Sequence, residues 1–210
     1  MRVRSEGKRR EILAAAAQLF VEQGYEHTSM SAISDRVGGS KATLYGYFES
    51  KEDLLRGVLE YDVANEALLV LHEFPAGEDL RKGLVNLGIQ FLTGRLAALP
   101  IANTRTLAGL PTGSTMGKEF YETILRPAWQ TLADHFAGLM EAGRLREADP
   151  WTAAMHWKGL HEGDLLEKRL IGAISHPDPK EVKSVAQQAA DAFLRIYGVE
   201  DVEAEAPGAQ

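Results

Sequence analysis

The segment Thr28–Lys51, TSMSAISDRVGGSKATLYGYFESK, contains two short helical patterns separated by a pair of glycines. Thr28 is predicted to cap the first helix, which runs to about Val37, and Ser40 is predicted to cap the second. The glycines between them end the first helix because glycine adopts left-handed backbone angles at little cost. The segment therefore predicts a helix-turn-helix.

The second of these helices has one apolar face and one polar face. Leu44 and Phe48 are four residues apart and share the buried face. The outward face carries lysine, hydroxyls and phenols, which suits a DNA groove because lysine neutralises phosphate and hydroxyls bond to phosphates or base edges. A major groove about 12 Å wide admits one helix. The outward residues are Lys41, Ala42, Thr43, Tyr45 and Tyr47, with the capping Ser40 beside them.

Two further helices are predicted to complete this unit. The first covers residues 5–23 and ends at Gly24. The other begins with Ser50 and Asp53, a capping-box-like pair, and runs to about Leu71. The apolar stripe of the first helix consists of Ile12, Ala16, Leu19 and Phe20.

Residues 9–59 resemble the N-terminal domain of the TetR family of bacterial transcriptional regulators. The resemblance covers about a quarter of the chain and follows the order and spacing of the family. The matching residues are Ile12, Ala15, Phe20, Gly24, Tyr25, Thr28, Ile33, Gly38, Ser40, Thr43, Leu44, Tyr45, Phe48, Lys51 and Leu54.

The resemblance implies roles for individual residues in DNA binding. Thr28 and Lys51 would contact phosphates. The sequence departs from the family pattern at Ser34, Gly39 and Gly46, and the last of these costs roughly 1 kcal/mol of helix propensity against alanine. The residues implied to face the operator are Lys41, Thr43, Tyr45 and Tyr47.

Beyond residue 60 the chain is predicted to be almost wholly helical, so the expected fold class is all-α. We expect residues 1–51 to form a three-helix DNA-binding head and residues 52–198 a larger body, for which the resemblance implies ligand binding and dimerisation. The acidic residues 199–210 are predicted to be disordered. Pro127 should kink or divide the helix that contains it. The helices of the body are predicted near 78–98, 101–108, 115–142, 151–174 and 179–197.

The last two helices of the body are predicted to form a dimer interface. Gly159 and Gly163 are four residues apart, which would let a neighbouring helix approach closely, and apolar residues surround them. In the family these helices pair with their copies as a four-helix bundle. The predicted interface residues are Gly159, Gly163, Leu166, Leu170, Ala186, Ala189 and Phe193.

The central helices of the body mix aromatic and polar residues, as small-molecule pockets do. For each single residue, plain core packing is the competing interpretation. The motif Gly143–Arg146 followed by Asp149 and Pro150 also resembles the C-terminal domain of one subgroup of the family. The candidate pocket residues are Phe91, Arg105, Phe120, Tyr121, Trp129, His135, Phe136, Trp157 and His161.

Composition limits the other possibilities. The absence of cysteine excludes disulfides and cysteine metal sites, and no run of about 18 apolar residues offers a membrane span. Residues 1–51 hold eight basic and six acidic residues, a charge of +2, so the remainder of the −7 chain carries −9. This asymmetry would direct the head toward DNA. No signal-peptide core follows Met1, so we expect a cytoplasmic protein. We also expect it to hold no cofactor and no metal.

Enzyme chemistry finds little support in the sequence. His156 and His161 are five residues apart, whereas a helical zinc motif needs four, and no H-E-x-x-H occurs. The G-x-S-x-G motif of serine hydrolases is also absent. The resemblance instead implies a homodimeric repressor that binds a near-palindromic DNA operator and is released by an unknown small-molecule effector. Control by a protein partner, or a catalytic relic fused to a DNA-binding head, are the alternatives.

Overall fold

The protein is all-α, as predicted, in a computed structural model that describes residues 5–62 and 79–199. Within those residues, β pairing is limited to one antiparallel bridge between Leu145 and Gly198. A π-helical segment, Tyr121–Leu125, joins two of the helices. The helices are α1 (Glu6–Gln23), α2 (Met30–Val37), α3 (Lys41–Tyr47), α4 (Lys51–Asp62), α5 (Leu80–Arg95), α6 (Ala98–Ala108), α7 (Thr115–Phe120), α8 (Arg126–Glu141), α9 (Pro150–Leu170) and α10 (Pro179–Tyr197).

Helices α1 to α4 pack around one apolar core. The caps are local: Ser5 Oγ accepts from the Lys8 amide at 3.2 Å, and Ser40 Oγ accepts from the Thr43 amide at 3.0 Å. Gly38 ends α2 with φ 66°, the left-handed conformation expected of it. The most deeply buried members of this core include Ile12, Leu13, Ala16, Phe20, Ile33, Leu44, Phe48, Leu54, Leu55, Val58 and Leu59.

The predicted cap of α2 is wrong by one residue. Ser29 is the N-cap, and its hydroxyl accepts from the Ala32 amide at 3.1 Å. Thr28 is buried instead, and its hydroxyl donates to the Gly24 carbonyl at 2.8 Å. Both residue types cap helices, so the local pattern does not distinguish them. The buried turn selects Thr28 to satisfy the carbonyl at the end of α1.

The second core lies in the body, where α5 packs along α10 and α8 packs along α9. Gly88 lies where α5 meets α9 and α10. A Cβ at Gly88 would overlap His161 Nε2 and would lie 3.2 Å from Ala186 Cβ. The three helices can therefore approach this closely only because position 88 has no side chain.

Pro127 divides the helix predicted at 115–142, as expected. It lies in the first turn of α8, at a point where a continuous helix would need an N–H that proline cannot donate. The residues just before α8 form the π-helical segment, so the chain continues from α7 to α8 with a locally widened turn.

Other helix ends differ modestly from the predictions. Helix α6 begins at Ala98, so Pro100 lies within its first turn rather than before it. Helix α9 ends at Leu170, four residues earlier than predicted. The predicted extension of the fourth helix to Leu71 and the tail beyond Val199 lie outside the described residues.

The head packs directly on the body. Leu99 and Leu107 of α6 and Met116 and Phe120 of α7 pack against the head core. Two polar contacts join the same elements: Asn103 donates to Asp62 at 2.8 Å, and Arg56 pairs with Glu119 at 3.0 Å. Movement of α6 or α7 would therefore be transmitted to the head.

No single described helix is both long and apolar enough to span a membrane. Helices α5 and α6 together are long and apolar enough to cross a membrane by length and composition, but a bend of 64° separates them.

Candidate nucleic-acid interface

Helix α3 presents most of its predicted DNA-facing side chains to solvent. Ser40, Lys41, Ala42 and Tyr45 are exposed, and Tyr45 retains 50% of its surface. Leu44 anchors the opposite side of the helix in the head core. An amphipathic helix of this kind leaves its polar side available to a groove.

Lys41 is the cation best placed on this surface. It is exposed and forms no ion pair with any residue in the described ranges. Arg36 on α2, the basic residue that precedes Lys41 in the chain, donates two hydrogen bonds of 2.7 and 3.2 Å to Glu22. This pair lowers the pKa of Glu22 and raises that of Arg36, chiefly through the hydrogen bonds. Lys41 thus carries uncompensated charge where Arg36 does not.

Ser34 and Gly39, two departures from the family pattern, form one turn contact. The Ser34 hydroxyl is buried and donates to the Gly39 carbonyl at 2.8 Å. The Gly39 amide in turn donates to the Ser34 carbonyl at 3.1 Å. These two bonds fix the connection between α2 and α3, which sets the angle at which α3 is presented.

Tyr47 has a structural contact that the sequence did not predict. Its hydroxyl accepts from the Ser5 amide at 3.0 Å, and its ring is half-buried. The contact spans 42 positions of sequence, so no local pattern could signal it. It holds the start of α1 beside the end of α3, next to the predicted DNA-facing surface.

Lys51 is partly used within the head. Its ammonium donates to the Tyr25 carbonyl at 2.8 Å and lies 4.1 Å from the centroid of the Tyr25 ring. The same ammonium also donates to the Glu26 carbonyl at 3.3 Å, so one of its three donors remains for a phosphate. Thr28 differs, because its hydroxyl is buried and bonded to Gly24. The expectation of a phosphate contact by the Thr28 side chain is therefore corrected.

The structure brings four of the candidate pocket residues together in the body. Phe91 lies at the centre, with ring centroids 5.6 Å from Trp129, 5.1 Å from Trp157 and 6.5 Å from His161. All four side chains are buried. They form what we call the aromatic cluster.

Two polar atoms of the aromatic cluster are buried and have no hydrogen-bond partner among residues 5–62 and 79–199: Trp157 Nε1 and His161 Nε2. His161 Nδ1 lies 2.8 Å from the Trp157 carbonyl and therefore carries the proton. Burial lowers the pKa of His161 to about 4, so the ring is neutral near pH 7. The cluster thus contains one unused donor and one unused acceptor.

The other candidate pocket residues lie elsewhere. Arg105 is exposed and caps the end of α9, donating to the Arg169 and Leu170 carbonyls at 2.7 and 2.8 Å. Tyr121 is 45% exposed, and Phe120 packs on the head core. Phe136 stacks on Phe193 at 4.8 Å, and His135 is half-buried beside it on α8.

A buried ionic group borders the aromatic cluster. Glu162, 7% exposed, accepts from Arg95 at 3.1 Å and also pairs with Lys158. Arg95 additionally donates to Thr104 of α6 at 3.1 Å. Lys158 lies 5.7 Å from the centroid of the Trp129 ring, so the ions and the aromatic residues share one region of the body.

The predicted dimer-interface residues fall into two groups. Gly159 and Gly163 are exposed, and a Cβ at either position would meet nothing within 4 Å. Leu166 and Leu170 are half-buried. Gly163 has φ 45° inside α9, so it bends the helix on this exposed side.

The remaining three predicted interface residues require correction. Ala186, Ala189 and Phe193 are buried in the core of their own protomer. Ala186 faces Gly88, and Phe193 stacks on Phe136. Helix periodicity identified the apolar face of α10 correctly, but α5 and α9 pack along that helix within the protomer, and Phe136 of α8 stacks on Phe193. Groups of three or more residues able to hold a metal ion do not occur in the described part of the chain.

Family models match both parts of the chain. Residues 12–58 match the model of bacterial regulatory proteins of the tetR family, and residues 82–199 match the C-terminal domain of AefR-like transcriptional repressors. The second match alone covers more than half of the 210 residues. The chain belongs to the TetR family of transcriptional regulators.

Similar proteins agree with this assignment. A TetR-family regulator from Mesorhizobium loti MAFF303099 superposes with a TM-score of 0.84 at 27% identity, covering 94% of this chain and 100% of its own. The flavonoid-responsive regulator FrrA superposes with a TM-score of 0.68 at 26% identity, covering 93% and 100%.

Among curated sequences, the transcriptional activator FasR of Mycolicibacterium smegmatis is 43% identical over 58 residues, which are 28% of this chain and 26% of FasR. The chain therefore matches about a quarter of that relative's length, in one segment.

Proposed function

We propose that the protein is a homodimeric repressor that binds a near-palindromic DNA operator and is released by a small molecule bound in the body. The observation that carries this proposal is the surface of α3. Lys41 and Tyr45 point to solvent while Leu44 and Phe48 hold the helix in the head core. Repression is chosen because the C-terminal family model describes repressors.

The two-fold arrangement rests on exposed apolar side chains at the C-terminal end of α9. Ile171 directly follows α9 and is 73% exposed, and Leu166 and Leu170 on the same helix are half-buried. Exposed apolar side chains of this kind mark interaction sites. Pairing through the end of α9 would place two α3 helices on one two-fold axis, where successive major grooves lie about 34–36 Å apart.

The effector site is proposed at the aromatic cluster. Its apolar rings, with one unused donor and one unused acceptor, suit a small molecule with an aromatic or otherwise apolar body. FrrA responds to flavonoids by its name, which is consistent with an aromatic effector for this chain. The hydrogen bonds from Glu162 through Arg95 to Thr104 join the cluster to α6, which packs on the head.

Release would follow from a change in the separation of the two heads. A coupling of about 1–3 kcal/mol would lower operator affinity about 5- to 150-fold. The same coupling requires that operator DNA weakens effector binding by the same factor.

Fluorescence anisotropy with the purified protein tests the proposal. Duplexes tiled across the DNA that flanks the protein's own gene would be titrated at two salt concentrations. We expect one site to bind at least about 10³-fold more tightly than bulk DNA. Uniformly weak binding with a steep salt dependence would contradict control at a neighbouring operator.

A further inference from the structure

A cleft separates α4 from α7 and the π-helical segment. It has a volume of about 340 Å³, within the range of small-molecule pockets. We call it the joint cleft because it lies where the head meets the body. Its lining residues are Arg56, Leu59 and Glu60 of α4, Met116, Glu119 and Phe120 of α7, and Thr123 and Ile124 of the π-helical segment.

The joint cleft is separate from the proposed effector site. The residues that line it do not include Phe91, Trp129, Trp157 or His161. One wall is a π-helix, a rare conformation that often occurs at functional sites.

The charges around the joint cleft are compensated in pairs. Arg56 pairs with Glu119 at 3.0 Å, and Glu60 lies 3.9 Å from Arg9 on α1. The lining charges alone sum to −1, and inclusion of Arg9 brings the sum to zero. An anion would meet no net positive charge on this surface and would have to approach two carboxylates beside the single guanidinium of Arg56. An uncharged occupant meets no such cost.

Apart from Arg56, whose guanidinium donates to Glu119, the polar side chains of the lining can accept hydrogen bonds. The Thr123 hydroxyl donates to the Glu119 carbonyl at 2.7 Å, so its oxygen keeps lone pairs as acceptors. The carboxylate of Glu60 can only accept. The apolar lining residues Met116, Phe120 and Ile124 are half-buried. The complementary molecule is therefore apolar and carries a hydrogen-bond donor.

We propose that the joint cleft binds an uncharged aromatic molecule with one O–H or N–H donor, as a second ligand site distinct from the aromatic cluster. The occupant would contact both sides of the joint. Leu59 belongs to the core of the head, and Phe120 of the body packs on that core. The site goes beyond the proposed function and does not require that function to be correct.

Two fluorescent probes with one shared skeleton test this proposal on the full chain without DNA. N-phenylnaphthylamine is uncharged and has one N–H donor, whereas anilinonaphthalene sulfonate adds a negative charge to the same rings. We expect the neutral probe to bind with an affinity at least about tenfold higher than that of the sulfonate. Equal affinities, or no binding of the neutral probe, would overturn the proposal.

A pair of variants locates the bound probe. Thr123→Phe fills the joint cleft from an exposed position, and Glu122→Phe places the same ring on the neighbouring exposed residue that does not line it. We expect the first variant to lower affinity for the neutral probe at least about tenfold and the second to change it less than about twofold.

Unchanged affinity in Thr123→Phe would place the probe elsewhere and overturn the assignment. Circular dichroism melts of both variants check that each is folded. Because the readout is direct binding without DNA, failure here would be distinct from failure to find an operator.

Discussion

The ammonium group of Lys51 is held by Tyr25, whose carbonyl accepts from Nζ at 2.8 Å and whose ring centroid lies 4.1 Å away. The contact joins the start of α4 to the turn between α1 and α2. It gives Lys51 a structural role in the head in addition to the phosphate contact that the family resemblance implies. The two roles predict different measurements.

Lys51→Ala is expected to lower the free energy of unfolding by about 1 kcal/mol, since two hydrogen bonds and one cation–π contact are lost. If Lys51 also binds a phosphate, the slope of log affinity against log salt should fall by about 1 for every DNA sequence. Urea denaturation and anisotropy over a salt series measure these effects. Lys82→Ala removes an exposed cation of the body and should leave the slope unchanged. An unchanged slope in Lys51→Ala would leave only the structural role.

Tyr45→Ala should separate DNA recognition from stability. Tyr45 is 50% exposed, so its removal should change the free energy of unfolding by less than about 0.5 kcal/mol. Loss of a direct groove contact should cost about 1–3 kcal/mol of specific binding. Tyr121→Ala, which removes a tyrosine of similar exposure from the body, is the control. Specific affinity retained in Tyr45→Ala would refute the assignment of this residue to the groove.

Gly88→Ala should destabilise the body. The new methyl group would overlap the His161 ring and press on Ala186 at 3.2 Å, an overpacking worth about 1–3 kcal/mol. Gly138→Ala on α8 meets nothing within 4 Å and should instead raise stability by about 0.5–1 kcal/mol. Urea denaturation compares the two variants. Equal stabilities would show that α5 and α9 can separate at no cost.

Stability should fall on acidification because of His161. Burial lowers its pKa from 6.5 to about 4, so between these values the unfolded chain binds the proton and the folded chain does not. The contribution of neutral His161 to the free energy of unfolding is therefore fully present above pH 6.5. It decreases as the pH falls toward 4, by up to about 3 kcal/mol. Unfolding free energies measured across this range should vary less in His161→Gln. His27→Gln, at an exposed position, should retain the wild-type slope. Parallel slopes in all three proteins would assign the acid sensitivity to other groups.

Ile171→Arg should disrupt the proposed dimer. Ile171 is 73% exposed in the protomer, so the substitution should leave the fold intact and place two arginines against each other in a two-fold interface. Light scattering coupled to size-exclusion chromatography should show a monomer. Val21→Arg replaces an exposed apolar residue of the head and should remain dimeric. A dimeric Ile171→Arg would move the interface away from the end of α9.

The helices and their order follow from local features of the sequence. A cap such as Ser40 bonds the amide three residues later, and Gly38 takes a left-handed conformation by virtue of its own backbone. Pro127 likewise restricts only its immediate neighbours. These interactions lie within one turn of helix, so residue type and spacing were enough to predict them.

Long-range packing decided which side chains form each surface. The apolar face of α10 was predicted, but it is covered within the protomer, because Gly88 of α5 lies against Ala186 and Phe136 of α8 stacks on Phe193. Ile171, which follows α9, and Ile196 on α10 are exposed instead. Tyr47 meets Ser5 across 42 positions, and Arg105 reaches carbonyls at the end of α9. Spacing along one helix reports which residues share a face. It carries no information about which neighbour covers that face, because that depends on how all the helices pack together.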